Sequence, residues 1–299
     1  MTQPLPLTET RNPNTSDIDA LSALEILRRI NAEDQKVPDA VAAAIPDIAR
    51  LVDGLVDRMR QGGRLIYTGA GTSGRLAVVD ASEMPPTFSV PPSLVVGLIA
   101  GGQGAMFKSL EGAEDDPDLG RSDIAALNVD ARDTIVGIAA SARTPYVVGS
   151  LNEARARGAL TASLCCSAPP STVHDAAEIQ ISLLTGPEVV TGSTRMKAGT
   201  ATKLALNMIS TTAMIRLGKT YGNLMVDLQA SNVKLRDRAR RIVEAITGLP
   251  REEAQRLLEE CGDAKTAIVA GLRGCDCAEA RARLAAAGGQ VRGAIHAKR

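Results

Sequence analysis

Aromatic side chains are scarce in this chain of 299 residues, which holds no tryptophan, three tyrosines and two phenylalanines. Base-stacking surfaces are built from such rings, so the scarcity argues against a nucleic-acid partner. Histidine is nearly as rare: the chain has two, His174 and His296, and both read as surface residues. With no Ser–His or Cys–His pair visible, general acid–base chemistry falls to carboxylates, lysines or hydroxyls. Charge of one sign is missing too, because 34 lysines and arginines balance 34 aspartates and glutamates. A formal net charge of zero gives no bulk attraction to nucleic acid or an anionic membrane. No apolar run approaches the roughly 20 residues of a spanning helix, and residues 1–14 lack the apolar core of a signal peptide. The five cysteines are an odd number, with Cys165 and Cys166 adjacent, and do not suggest a disulfide framework. Cys275 and Cys277 lack the second ligand pair of a zinc site, so no metal is expected. The expectation is a reduced, cytoplasmic chain.

What is present is a hydrophobic fraction of 44%, ample for a packed core, at a length that suits about two domains. Ser16 reads as the cap of a first helix through Leu21, Leu24, Leu27 and Ile30. A second helical stretch runs over residues 39–60 and closes at Gly62-Gly63. Short apolar runs then alternate with helical patterns, at residues 65–67, 94–99, 134–138, 160–165 and 179–183. Such alternation predicts an α/β fold, with helices on both faces of a mostly parallel sheet. A long helix is expected over residues 195–216 and another over 224–246. From Pro250 the chain is alanine-rich and reads as a small C-terminal helical subdomain, with breaks at Gly262 and Gly274.

The run Thr68-Gly69-Ala70-Gly71-Thr72-Ser73-Gly74 follows the first predicted strand and has the G-x-G-x-x-G form. A dinucleotide site also needs an acid after the second strand, which here ends Ile99-Ala100-Gly101-Gly102. A Walker A loop would need a lysine and a hydroxyl after its glycines, which are absent. Two further loops carry hydroxyls at strand ends: Ser141-Ala142-Arg143-Thr144-Pro145, and Thr191-Gly192-Ser193-Thr194-Arg195. Hydroxyls, free N–H groups and helix N-termini together make anion sites. Any one loop is equally well explained by plain helix capping; three together favour a phosphorylated ligand. Glu83, just before Met84-Pro85-Pro86, is a candidate catalytic carboxylate at a corner where the prolines are expected to stop the helix. Glu111, Glu114, Asp115 and Asp116 form a second acidic group, for which a solvent-facing cluster before the Pro117 turn is the plainer explanation.

These segments, with Glu111-Gly-Ala-Glu-Asp115, Arg143-Thr-Pro-Tyr146, Val189 to Gly199 and Gly222-Asn-Leu-Met-Val-Asp227, resemble the N-acetylmuramic acid 6-phosphate etherases of the sugar isomerase (SIS) superfamily. The resemblance runs in order over nearly the whole chain. It implies a three-layer α/β/α sandwich over residues 57–220, N-terminal helices over 1–56 and a C-terminal helical region over 221–299. It also implies removal of a D-lactyl ether from a sugar 6-phosphate, by elimination at C2/C3 and addition of water, in amino-sugar and cell-wall recycling. No cofactor would be needed. Glu83 and Glu114 match the family's two glutamates: Glu83 is expected to protonate the departing oxygen and activate water, and Glu114 to handle the C2 proton, roles that can be exchanged. Gly71, Thr72, Ser73, Ser141, Thr144, Ser193 and Thr194 are the expected phosphate and sugar contacts. Arg75 and Arg195 are candidates for the lactyl carboxylate. Ala142 departs from the pattern, where glycine is common. A homodimer is implied. The competing readings are an aldose–ketose isomerase and a non-catalytic phosphosugar-binding regulator.

Overall fold

The computed structural model describes residues 5–108, 110, 112–227 and 233–296. The chain divides into two compact units, Met1–Ser82 with Pro92–Ser210, and Glu83–Pro91 with Thr211–Arg299.

The first unit opens with three short 3-10 turns, Leu7–Glu9, Pro13–Thr15 and Ile18–Ala20. Helix α1 (Ala23–Asp34) then starts at Ser22, whose Oγ accepts from the Glu25 N–H while the Glu25 carboxylate accepts from the Ser22 N–H at 3.0 Å. The expected cap at Ser16 is thus displaced to Ser22. Only Ser22 has a glutamate three residues on, and that side chain closes a reciprocal capping box. Helix α2 (Val37–Arg60) buries the face of Val41, Ile48, Leu51 and Leu55.

Five strands form the sheet: β1 (Leu65–Gly69), then, after α3 (Gly71–Phe88), β2 (Val95–Ile99). After α4 (Gly104–Phe107) and α5 (Pro117–Ala126) comes β3 (Thr134–Ala139). After α6 (Pro145–Ala156) comes β4 (Leu160–Cys165), and after α7 (Thr172–Asp175) comes β5 (Ile179–Ser182). All pairings are parallel, in the order β2-β1-β3-β4-β5.

Alternation along β1 shows both faces covered. Thr68 Oγ1 donates to Ser150 Oγ on α6, while Tyr67 donates its hydroxyl to Asp80 on α3. Strands buried on both faces read as continuous apolar runs, and every residue of β1, β3 and β4 is buried. The result is the expected three-layer α/β/α arrangement. At the opposite strand ends Arg64 forks onto Asp133, Nη2 to Oδ2 at 2.6 Å and Nε to Oδ1 at 3.0 Å, tying β1 to β3. The unit closes with α8 (Lys197–Arg216), whose C-terminal end runs into the second unit.

Further readings of the sequence need correction. Helix α3 continues through Pro85 and Pro86 to Phe88. Proline's fixed φ suits a helix, and the donors lost there fall in the final turn, where Ser89 N–H still reaches the Pro85 carbonyl at 3.0 Å. His174 is fully buried, its ring nitrogens bonded to Ser163 Oγ at 2.7 Å and the Ser167 carbonyl at 3.0 Å. Cys261 and Cys277 are joined by a disulfide, with Cα atoms 5.2 Å apart.

That disulfide belongs to the second unit. Its strands β6 (Thr220–Tyr221) and β7 (Leu224–Met225) pair around Gly222-Asn223, where a continuous helix from Leu224 was expected. The glycine–asparagine pair is a two-residue hairpin signal, and it overrides the helical spacing. Helix α9 (Val233–Thr247) is followed by α10 (Arg251–Cys261), α11 (Ala264–Arg273), α12 (Cys277–Ala286) and α13 (Val291–His296). They enclose a core that includes Val243, Leu258, Ile268 and Val291. Cys261 closes α10 and Cys277 opens α12, so the bond staples two helix ends; the odd cysteine count had concealed the pair.

Candidate active site

In a sheet of order 2-1-3-4-5 the chain departs in opposite directions after β1 and β3, which leaves a crevice beyond their carboxyl ends. The loops leaving those two strands face each other there. After β1, Gly71 adopts φ 53°, a left-handed conformation that side chains disfavour, and turns the chain directly into α3. Gly74 lets the helix approach the sheet: a Cβ there would lie 2.6 Å from Ile99 Cγ1 and 2.7 Å from the Gly69 carbonyl oxygen. The fingerprint glycines therefore serve a tight strand–helix turn and a close helix–strand contact. Neither task requires a dinucleotide.

After β3 the turn places Ala142 at φ 61° although it carries a side chain, and Ala142 is completely buried. This is the position where the sequence departs from the expected glycine. Thr144 caps α6 with its backbone only, its hydroxyl making no capping bond, and Pro145 occupies the first helical position.

The third loop differs. The first N–H groups of α8 are already occupied, because the buried Glu188 accepts from Lys197 N–H at 3.0 Å and Ala198 N–H at 2.9 Å. Burial pushes the Glu188 carboxyl up, against the pull of those two donors. The positive end of α8 is thus answered from within, and the loop offers hydroxyls rather than the free helix N-terminus the sequence suggested. Behind it Lys197 is buried at 1% exposure, its Nζ 2.6 Å from Glu33 Oε2. Burial alone would raise the Glu33 carboxyl, but hydrogen bonds from Lys197, Lys36 and Asn14 outweigh it and hold it at about 2.

These loops surround a hollow of about 250 Å³. It brings together Gly71, Thr72, Ser73, Ser141, Thr144 and Thr194, with Glu114 at one side. Ser193 is half-buried in the third loop and stands outside the lining. Among the described residues, the hydroxyls of Thr72, Ser73, Ser141, Thr144 and Thr194 make no hydrogen bond and no lysine or arginine lines the hollow. Plain capping would have engaged some of those hydroxyls. A wall of unengaged hydroxyls beside the start of α3 suits a phosphate held by neutral donors.

Glu114 is exposed in the 3-10 turn Ala113–Asp115. Its neighbour Asp116 has a structural task, its Oδ1 accepting from Asp118 N–H at 2.9 Å and Leu119 N–H at 3.0 Å to cap α5. Glu111 lies outside the described residues. Glu83 is exposed on α3 and belongs to the second unit. Glu114 also borders a smaller hollow of about 110 Å³, shared with Arg75, Ala100, Ala105, Leu110 and Ala113. The Arg75 guanidinium is fixed there by the carbonyls of Ala105 at 2.8 Å and Met106 at 3.0 Å. Arg195 is exposed in the third loop and lines neither hollow. Two lining residues have no signal in the sequence: Thr202 within α8, and Glu9, far from the other loops along the chain.

Comparison with known proteins identifies the family and the fold. Residues 47–155 match the family described as the glucokinase regulatory protein N-terminal SIS domain. The chain is 56% identical, over 97% of its length and 97% of the relative's, to N-acetylmuramic acid 6-phosphate etherase of Cronobacter sakazakii. Identity to the etherase of Salmonella agona is 54%, again over 97% of each chain. Among solved structures, a phosphoheptose isomerase from Neisseria gonorrhoeae shares the fold at a TM-score of 0.50 and 16% identity, covering 64% of this chain and 98% of its own. A Bacteroides fragilis protein described as a phosphosugar isomerase of capsule formation does so at 0.50 and 19%, covering 65% and 91%.

Proposed function

The chain belongs to the N-acetylmuramic acid 6-phosphate etherases, and we propose that the hydroxyl-lined hollow holds the sugar phosphate while Glu114 and Glu83 move the protons of the reaction. The enzyme is a carbon–oxygen lyase, which converts N-acetylmuramic acid 6-phosphate to N-acetylglucosamine 6-phosphate and D-lactate. An alkyl ether resists direct hydrolysis because alkoxide is a poor leaving group. The open-chain aldehyde removes that obstacle by making the C2 proton acidic. Glu114 takes the C2 proton, the C3–oxygen bond breaks, and Glu83 delivers a proton to the departing lactyl oxygen. Glu83 then draws a proton from water as its oxygen adds to C3 of the unsaturated aldehyde, and Glu114 returns a proton to C2. Each carboxyl ends as it began.

The observation that carries this reading is the wall of unengaged hydroxyls at the sheet's switch point with a carboxylate beside it. Phosphate fits the α3 side of the hollow with Thr72, Ser73, Ser141 and Thr144, and Thr194 faces the sugar. Ser193 serves the third loop. The smaller hollow suits the lactyl group. Its alanines and Leu110 suit the methyl, and Arg75, with donors remaining, suits the carboxylate. We assign that role to Arg75 rather than Arg195.

Glu83 belongs to a different compact unit from the hollow, and we infer a homodimer in which each copy lends Glu83 to the other's hollow. We assign the reaction to the cytoplasm, the compartment that holds phosphoryl donors and retains a sugar phosphate once it is made. The test is turnover in oxygen-18 water. D-lactate without label and one labelled oxygen at C3 of the sugar product are expected. Label in lactate, or no lactate, refutes the reading.

A further inference from the structure

The hollow that must accept a phosphate dianion contains a carboxylate with no assigned task. Glu9 lines it together with Glu114, and its carboxylate has no hydrogen-bond or ion-pair partner among the described residues. It is not a drifting terminal side chain. Thr8 beside it is completely buried, Asn12 Nδ2 donates to the Pro187 carbonyl at 3.1 Å, and Thr15 Oγ1 donates to the Val189 carbonyl at 2.9 Å. These contacts bind the N-terminal segment to the stretch that leads into the third loop. The Glu9 carboxylate lies against Gly192, where an added Cβ would come within 3.1 Å of its Oε2.

An ionised carboxylate only accepts hydrogen bonds. It repels phosphate, and it rewards a ligand group that donates. With no lysine or arginine among the described residues of the lining to neutralise it, Glu9 gives the hollow a polarity: donors of the α3 and α6 loops at one end, an acceptor at the other. Resting on the phosphosugar reading above, we propose that Glu9 is the residue that orients the substrate, accepting a hydrogen bond from a hydroxyl or amide N–H of the sugar and barring the phosphate from the third-loop end. It takes no proton from the reacting carbons. Its work is to fix which way round the sugar lies, so that C2 and C3 meet Glu114.

The two halves of this role predict opposite signs for one substitution. In Glu9→Gln the KM for the sugar phosphate should rise about tenfold or more, the loss of one hydrogen bond to a charged acceptor, while kcat changes much less. Inorganic phosphate, titrated calorimetrically into the unreacted protein, should bind more tightly than to wild type, because a repelling charge is gone. Glu9→Asp should recover part of the KM and keep phosphate binding weak. Because the carboxylate supports no other described residue, the melting temperature should not move. Unchanged KM and phosphate affinity, or a parallel weakening of both, overturns the proposal. The phosphate titration does not depend on turnover, so a wild-type protein that released no lactate would refute the etherase reading separately.

Discussion

Replacing Glu33 by glutamine should strand the buried ammonium of Lys197. The pair lies inside the first unit, with side-chain exposures of 1% for Lys197 and 5% for Glu33. In the folded chain the Glu33 carboxyl sits at about 2, against 4.5 for the free group. A carboxyl held below its unfolded value stabilises the fold fully above the unfolded pKa, and that contribution is lost as pH falls through the folded one. The difference corresponds to about 3 kcal/mol at neutral pH, in line with the 3–5 kcal/mol typical of removing one partner from a buried pair. For a unit of this size that is a drop in melting temperature of about 6–12 °C. Scanning calorimetry of wild type and Glu33→Gln at pH 7, 4 and 3 should show the gap shrinking as pH falls. Adding Lys197→Met should return much of the loss at pH 7, since the stranded charge goes too. A gap below about one degree at pH 7, or one that does not change with pH, refutes the reasoning.

Three further outcomes are expected. Glu83→Gln and Glu114→Gln should each bind substrate and fail to turn it over; mixed and allowed to exchange subunits, they should regain about a quarter of wild-type activity, since half the dimers carry one intact site. No recovery despite verified exchange would place both glutamates in one chain's site. Ala142→Val should lose about 2–3 kcal/mol in urea unfolding, because a β-branched residue is strained at φ 61°, whereas Ala142→Gly should stay within about 1 kcal/mol of wild type. Cys261→Ser should destabilise the C-terminal helices by about 3 kcal/mol, the scale for closing a loop of this length, read as faster amide exchange confined to α10–α12.

The sheet was legible because each buried strand is a short apolar run between glycines and polar turns, and all five predicted runs became strands. The hydroxyl loops were legible for a related reason: a strand end followed by hydroxyls and a helix start is local information. Other features depended on distant neighbours. Glu188 looks like an ordinary loop acid until Lys197 and Ala198 present their N–H groups to it. His174, set among prolines and serines, reads as exposed until Ser163 and Ser167 close around it. Glu9 had no motif at all. It reaches the hollow because Asn12 and Thr15 bond to carbonyls about 175 residues away. The disulfide was hidden by arithmetic, since Cys275 and Cys277 look like a pair and Cys261 like the odd residue.

Three walls of the hollow come from separate connections, after β1, after β3 and before α8, and their five hydroxyls share no hydrogen bond with one another. A substitution in one loop therefore reshapes one side of the cavity and leaves the other sides and the sheet as they were. Such a site is free to change piecewise over evolutionary time. A lineage can trade one substrate substituent for another, a loop at a time, without passing through an unfolded ancestor.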